Sequence, residues 1–233
     1  MVNGGATGII LAIDGPAASG KSSTAKAVAA ELGYRHLDSG AFYRAITLAA
    51  LDRGIDPEQW PDLTAEELRR LEVEATPGDA AYRLTIEGAD VGERIRAPEV
   101  DAHVSRMAAV PAVRAWLLDS LRQAGRDGAL VADGRDMGSV VFPNAELKVF
   151  LVCDPRVRAR RRLLQQGVPS PTDTQIHAEA VGLAERDRRD RERQAAPLVR
   201  APDAVVVDTT DLEFEEQVAE IVRLARDRIR ALG

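Results

Sequence analysis

The sequence of 233 residues has little or none of several features that mark secreted or membrane proteins. It has one cysteine, Cys153, so no internal disulfide can form, and a reducing compartment is expected. No apolar run approaches the roughly 20 residues that a membrane-spanning helix needs. Residues 1–7 lack the basic and apolar regions of a signal peptide. These absences predict a cytoplasmic protein without a membrane partner.

An excess of positive charge is also missing. The chain has 31 basic and 37 acidic residues, a net charge of -6, which disfavours tight sequence-independent binding to nucleic acid. Apolar residues make up 45% and charged residues 29%, which is typical of a globular protein. No internal repeat or low-complexity segment is present. We expect a monomer with one domain, covering residues 1–233, and no nucleic-acid partner.

Short apolar runs alternate with helical patterns along the chain. Buried strands are predicted at 8–13, 129–132, 147–152 and 204–207. Helices are predicted at 20–32, 39–53, 66–74, 98–123 with a break near Pro111, from Pro155, at 174–193 and at the C-terminus. The last helix is expected to have one apolar face, made of Phe214, Val218, Ile221, Val222 and Ala225. This order predicts an α/β fold with a parallel sheet flanked by helices.

One segment departs from the alternation. Between 81 and 95, Tyr82, Leu84 and Ile86 alternate with polar residues, and Gly88 is suited to a turn. This pattern predicts a small antiparallel element inside an insertion that covers about 64–97.

The segment from Gly15 to Ser22 matches G-x-x-x-x-G-K-[ST] at every fixed position. A buried strand precedes it and a helix follows, as a phosphate-binding loop requires. Backbone N–H groups bind phosphate oxygens, Lys21 supplies a cation, and the Ser22 hydroxyl is suited to Mg²⁺. The motif predicts binding of a nucleoside triphosphate, here ATP.

Other motifs in the sequence limit the classes of protein that could use the triphosphate. A GTPase needs a guanine-binding N-K-x-D sequence, which is absent. A small-molecule kinase needs a second anion site facing the phosphate loop. A regulator that uses ATP only as a switch does not need one, and this alternative stays open.

Two further segments are suited to a second anion site. The sequence from Asp38 to Arg44 follows the first helix, and the sequence from Asp133 to Gly138 follows a buried strand. Ligands bind at the carboxyl ends of parallel strands, where Arg135 is suited to a phosphate and Asp133 to Mg²⁺. A local ion pair between Arg135 and Asp136 is an equally good interpretation.

Six segments, in order along nearly the whole chain, resemble those of bacterial cytidylate kinases. The resemblance implies a P-loop NTPase fold with an inserted subdomain that binds the nucleoside monophosphate and a lid at about 156–171. It implies transfer of a phosphoryl group from ATP to CMP or dCMP, with UMP as an alternative acceptor. The segments are GPAASGKSS (15–23), LDSGAFYR (37–44), EGADVGERIRAPEV (87–100), VADGRDMGSVVFP (131–143), ERDRRDRER (185–193) and APLV (196–199).

The resemblance also implies roles for individual residues. Catalytic roles fall to Lys21, Arg135 and Arg186, and Mg²⁺ binding to Ser22 and Asp133. ATP would be bound by Gly15, Pro16, Ala17, Ala18, Ser19, Gly20, Lys21, Ser22 and Ser23; Ala18 stands where the family frequently has glycine. The acceptor would be bound at its base by Ser39, Arg114 and Asp136, at its pentose by Ser105, Arg186 and Asp190, and at its phosphate by Arg44, Arg135 and Arg193.

Two charged segments have alternative interpretations. Arg186, Asp190 and Arg193 share one face of a helix, a pattern that by itself favours a solvated face with salt bridges. The resemblance favours substrate binding for these three residues. Arg158 and Arg162 are suited either to the phosphates or adenine of ATP, or to a basic surface patch.

Overall fold

A computed structural model describes residues 8–233, so the expectation that residues 1–7 carry no signal peptide falls outside the described residues. The strands are β1 (Ile10–Asp14), β2 (Arg35–Asp38), β3 (Val73–Pro77), β4 (Tyr82–Ile86), β5 (Ala89–Asp90), β6 (Leu130–Gly134), β7 (Leu147–Val152) and β8 (Val205–Asp208). The helices are α1 (Lys21–Leu32), α2 (Ser39–Asp52), α3 (Ala65–Arg70), α4 (Pro98–Met107), α5 (Pro111–Ala124), α6 (Pro155–Gln165), α7 (Asp173–Glu192) and α8 (Phe214–Leu232).

Five strands form a parallel sheet in the order β2-β6-β1-β7-β8. Side chains of β1 alternate between two cores. Leu11 and Ile13 pack with α1 and α8 on one face, and Ala12 faces the core formed with α2, α4 and α5. The predicted α/β fold with a parallel sheet flanked by helices is confirmed.

Most predicted elements are present, two expectations are wrong, and one strand was not predicted. The helix predicted at 66–74 ends at Arg70, and residues from Val73 form strand β3, paired with β4. Strand β2 was not predicted, because its sequence, RHLD, contains no apolar run. Phe214, the first residue of α8, is 44% exposed, so it does not belong to the buried face of that helix.

The segment 64–97 contains α3, the three-stranded antiparallel sheet β3-β4-β5 and a short helix, Gly92–Arg96. The predicted antiparallel element is therefore present. Its buried Leu84, Val91 and Ile95 belong to the same core as α2 and β6. The segment shares the main core, and its status as a subdomain stays a prediction.

Helices α6 and α7 pack against each other and are joined by a loop, residues 166–172. Thr172 begins α7 with a capping box, in which its side chain and that of Gln175 each accept a backbone N–H. Within residues 8–233, no helix combines the length and apolar composition needed to cross a bilayer.

Candidate active site

The phosphate loop connects β1 to α1 at the carboxyl edge of the sheet. A Cβ atom at Gly15 would lie 2.6 Å from the carbonyl oxygen of Leu151, so this position requires glycine. Gly20 begins α1 in the left-handed region, with φ of 87°, and no side chain caps the helix. Ala18 is also left-handed, with φ of 55°. The first N–H groups of α1 are thus left for an anion.

Lys21 points back into the loop. Its Nζ donates to the carbonyl oxygen of Pro16 at 2.6 Å and approaches Oγ of Ser19 at 3.4 Å. The side chain of Lys21 therefore faces the loop, and it is buried rather than exposed to solvent. Burial lowers the pKa of Lys21 well below its usual range, and the positive charge of Arg135 lowers it further. A phosphate here would therefore stabilise the charged amine.

The two residues predicted to bind Mg²⁺ are in contact. Oγ of Ser22 donates a 2.6 Å hydrogen bond to Oδ2 of Asp133, and Oδ1 of Asp133 lies 2.8 Å from Nε2 of His36. Among the described residues, no group of three or more acidic, histidine or cysteine side chains forms a metal cluster. Mg²⁺ in kinases is commonly bound by only one or two protein oxygens, with phosphate and water completing the shell. The Ser22–Asp133 pair fits that requirement.

Asp136 lies at the base of the cleft and is 2% exposed. The guanidinium of Arg114 contacts Oδ2 of Asp136 and lies 5.6 Å from the ring centre of Tyr43. Nη2 of Arg193 is 3.7 Å from Oδ1 of Asp136. Ser39 lines the same cleft, and its hydroxyl donates to the carbonyl oxygen of Asp133 at 2.8 Å.

Asp190 is held by Arg135 rather than by Arg186. Nε of Arg135 donates to Oδ2 of Asp190 at 2.8 Å, and Nη1 of Arg186 donates to Oδ1 of Asp101 at 3.0 Å. Although Arg186 and Asp190 share one face of α7, Arg186 therefore does not orient Asp190. A basic residue four positions before an acidic one is the less favourable order in a helix.

Arg186 and Arg193 have unused hydrogen-bonding capacity. Within residues 8–233, Nε of Arg186 and Nη2 of Arg193 are buried without a hydrogen-bond partner. Burial, followed by the charge of Arg135, lowers the pKa of Arg186. Burial would raise the pKa of Asp190, yet Arg135 beside it holds that pKa below its usual value. An anionic ligand would supply the missing partners.

One cleft contains most of the residues predicted for the site. Gly15 and Pro16 lie at the start of the loop, and Arg114 reaches the cleft through Asp136. The predicted residues that line the cleft are Ala17, Ala18, Ser19, Gly20, Lys21, Ser22, Ser23, Ser39, Arg44, Ser105, Asp133, Arg135, Asp136, Arg186, Asp190 and Arg193.

Among the residues in or beside this cleft that sequence reasoning missed are Tyr43 and Asp101. Tyr43 lines it, and burial raises its pKa to about 12, so the phenol keeps its proton at neutral pH. Tyr43 lies inside the LDSGAFYR segment, which was a usable signal. Asp101 contacts Arg44, Arg162 and Arg186. No pattern in the sequence distinguishes Asp101 from the exposed acidic residues near it.

The two arginines considered for the lid have different positions. Arg162 lines the cleft and bonds Asp101 and Glu179. Arg158 is 5% exposed and is bonded to Asp187. Neither interpretation offered for Arg158 is therefore correct, because it is neither in the cleft nor on the surface.

Comparison with known proteins is consistent with this geometry. The family model for cytidylate kinase matches residues 11–227. A cytidylate kinase of Limosilactobacillus reuteri (strain DSM 20016) is 41% identical over 219 residues, which cover 94% of this chain and 96% of that protein. A bifunctional pantoate ligase/cytidylate kinase of Synechococcus elongatus (strain ATCC 33912 / PCC 7942 / FACHB-805) is 45% identical over 224 residues, covering 94% of this chain and 42% of that protein.

A crystal structure of an uncharacterized protein from Eubacterium ventriosum ATCC 27560 is similar with a TM-score of 0.50. Its identity is 11%, over 94% of this chain and 98% of that chain, so the likeness concerns the fold alone. The family match and the relatives that cover nearly the whole chain confirm the resemblance noted in the sequence. The chain belongs to the cytidylate kinase family.

Proposed function

We propose that this protein transfers the γ-phosphoryl group of ATP to CMP or dCMP, which gives ADP and CDP or dCDP. Membership of a kinase family implies ATP as the donor and nucleotides as substrates. The observation that carries the proposal is one cleft that is lined both by Lys21 of the phosphate loop and by a second cluster of arginines: Arg44, Arg135, Arg186 and Arg193. A protein that uses ATP only as a switch has no need for the second cluster.

The donor site is the loop from Gly15 to Ser23. Its backbone N–H groups and Lys21 would bind the β- and γ-phosphates. Ser22 and Asp133 would hold Mg²⁺. When bound, Mg²⁺ neutralises negative charge on the phosphate oxygens.

The acceptor site is proposed on the other side of the cleft. Asp136 would accept a hydrogen bond from the exocyclic amine of cytosine. Arg114 would donate to the acceptor atoms of the base, and the Ser39 oxygen keeps lone pairs free to accept a hydrogen bond. Uracil has a carbonyl where cytosine has the amine, so its oxygen would face the carboxylate of Asp136 with no proton to share between them. Pentose binding is proposed for Ser105, Arg186 and Asp190, and phosphate binding for Arg44, Arg135 and Arg193.

The chemistry requires position and charge rather than a base. An oxygen of the CMP phosphate forms a bond to the γ-phosphorus as the bond to the β,γ-bridging oxygen breaks and ADP leaves. The attacking oxygen is already anionic near neutral pH, so no proton need be removed. Lys21, Arg135 and Arg186 stabilise the charge of the transition state. The segment at about 156–171 is proposed to close over ATP and exclude water.

The test is formation of ADP with each common nucleoside monophosphate present or omitted. We expect ADP to depend on CMP or dCMP, with kcat/KM for UMP well below that for CMP. ADP formation independent of any acceptor would identify an ATPase or switch. A preference for UMP would replace the proposed acceptor.

We also propose the oligomeric state, the compartment and the partners of the protein. We expect a monomer in the cytoplasm without a nucleic-acid or membrane partner, because the net charge is -6 and the lone cysteine suits a reducing compartment. Light scattering on the purified protein measures its mass. A dimer at micromolar concentration would contradict the expected monomer.

A further inference from the structure

A buried ion pair holds Ala17 of the phosphate loop at both its backbone N–H and its carbonyl oxygen. The pair is formed by Arg158 of α6 and Asp187 of α7, which lie far from the loop in the chain. The N–H of Ala17 donates to Oδ1 of Asp187 at 2.8 Å, and the carbonyl oxygen of Ala17 accepts from Nη1 of Arg158 at 2.8 Å. The same Nη1 donates to Oδ2 of Asp187 at 2.6 Å. The three residues therefore form a closed set of hydrogen bonds.

This set is shielded from water. Asp187 is 1% exposed, Ala17 2% and Arg158 5%. A buried ion pair is a poor source of stability, because apolar residues of similar volume often serve equally well. Both partners here use hydrogen bonds on the backbone of the phosphate loop. Their arrangement is thus better explained by an effect on the loop than by the stability of the helices.

The backbone conformation of Ala18, the residue after Ala17, explains why the loop needs this support. Ala18 has φ of 55°, a left-handed conformation in which the Cβ atom approaches the following carbonyl oxygen. Residues other than glycine rarely adopt it without support from their surroundings. Ala18 lines the cleft at the proposed donor site.

We propose that Arg158 and Asp187 are positioning residues that hold Ala17, and through it the left-handed Ala18, in the conformation that binds the phosphates of ATP. Neither residue is among those that line the cleft, so they act through the loop. Because α6 and α7 also carry Arg162 and Arg186, the pair connects the phosphate loop with the helices of the acceptor side. The proposal rests on ATP binding at the loop, which belongs to the proposed function.

The main test removes both charges together with Arg158→Met and Asp187→Leu, so that no unpaired charge stays buried. We expect the dissociation constant for a non-hydrolysable ATP analogue to rise about tenfold, the factor that matches the loss of support for a left-handed alanine. The KM for CMP should change less than threefold. The matched control is Arg188→Met with Glu185→Leu, an exposed ion pair on the same helix, which should change neither.

Rescue by Ala18→Gly distinguishes positioning from a general loss of structure. Glycine adopts φ > 0 without a Cβ penalty, so Ala18→Gly should restore most of the affinity in the double variant. The same substitution should have little effect in the wild-type protein, where the ion pair already supports Ala18. Independent effects of the ion pair and of Ala18→Gly on ATP affinity, or an equal rise in the KM for CMP, would overturn the proposal.

A second variant, Arg158→Lys, covers the case in which the double variant does not fold. Lysine keeps the charge and its pairing with Asp187, but its terminal nitrogen is one atom closer to the backbone than Nη1 of Arg158, so we expect it not to reach the carbonyl oxygen of Ala17 as well. We expect weaker binding of the ATP analogue, again rescued by Ala18→Gly, and wild-type affinity would contradict the proposal. Because binding is measured without an acceptor, failure of the wild-type protein to phosphorylate CMP would refute the proposed function and leave this result interpretable.

Discussion

Nε of Arg135 donates a 2.8 Å hydrogen bond to Oδ2 of Asp190, and this bond joins the end of β6 to α7 across the cleft. Arg186, one turn before Asp190 on the same helix, bonds Asp101 instead. The proposed pentose contact of Asp190 is therefore set by a residue 55 positions away in the chain. This pairing changes which substitutions are expected to act together.

Asp190→Ala should raise the KM for CMP and dCMP and leave the KM for ATP nearly unchanged. The expected penalty is about 1.5–3 kcal/mol, the range for a hydrogen bond to a charged group. Combination with Arg135→Ala should fall short of the sum of the single effects, since the two residues share one interaction. Combination with Arg186→Ala should be closer to additive. Additivity with Arg135→Ala would show that the ion pair does not orient Asp190.

Lys21→Ala should reduce kcat by about 10²-fold or more while the protein stays folded. Burial of the charged amine opposes its ionisation, so removal of Lys21 should not lower the melting temperature. Turnover and thermal unfolding are measured on the same preparation. Lys26→Ala, on the exposed face of the same helix, is the control and should keep wild-type turnover. Near-normal turnover of Lys21→Ala would remove this residue from the proposed mechanism.

Asp136→Asn should weaken CMP more than ATP and reduce discrimination against UMP. The amide of asparagine donates to the uracil carbonyl that the carboxylate repels. The ratio of kcat/KM for CMP to that for UMP is the measurement. Asp119→Asn, an exposed change on the helix that carries Arg114, should leave the ratio as it is. An unchanged ratio in Asp136→Asn would contradict the proposed contact with the base.

Asp14 should make stability depend on pH between about 4 and 6. Burial is the largest influence and raises its pKa from 3.8 to about 6, against hydrogen bonds from the N–H groups of Gly138 and Met137. In this interval the folded protein keeps a proton that the unfolded chain has lost, so raising the pH favours unfolding. This contribution is present below pH 3.8 and is lost as the pH rises through 6, a change on the order of 3 kcal/mol.

Urea denaturation of wild type and Asp14→Asn across this interval measures the effect. The difference in unfolding free energy between the two proteins should fall as the pH rises from 4 to 6. Asp208→Asn is the control, because Asp208 is exposed at the end of β8 and hydrogen bonds from Thr210 lower its pKa. A pH-independent difference between wild type and Asp14→Asn would show that Asp14 does not titrate there.

The sequence by itself determined the class of fold and the phosphate loop. Both depend on local patterns: apolar runs of strand length, helical periodicity, and glycine and lysine at fixed spacing after a strand. Prediction was weaker where local pattern and final structure differ. Strand β2 has no apolar run, and the first two residues of β3 were included in a predicted helix because only pairing with β4 makes them part of a strand.

Tertiary structure decided which charged residue meets which. The ERDRRDRER segment does not reveal that Asp187 reaches Ala17, that Asp190 reaches Arg135, or that Arg188 stays exposed in local ion pairs. The partners of Asp187 and Asp190 lie far away in the chain, in the phosphate loop and at the end of β6. Which partner each carboxylate meets depends on the direction its side chain takes once the helices pack on the sheet. Charge pairing between distant residues has no sequence period, so only the packed fold determines it.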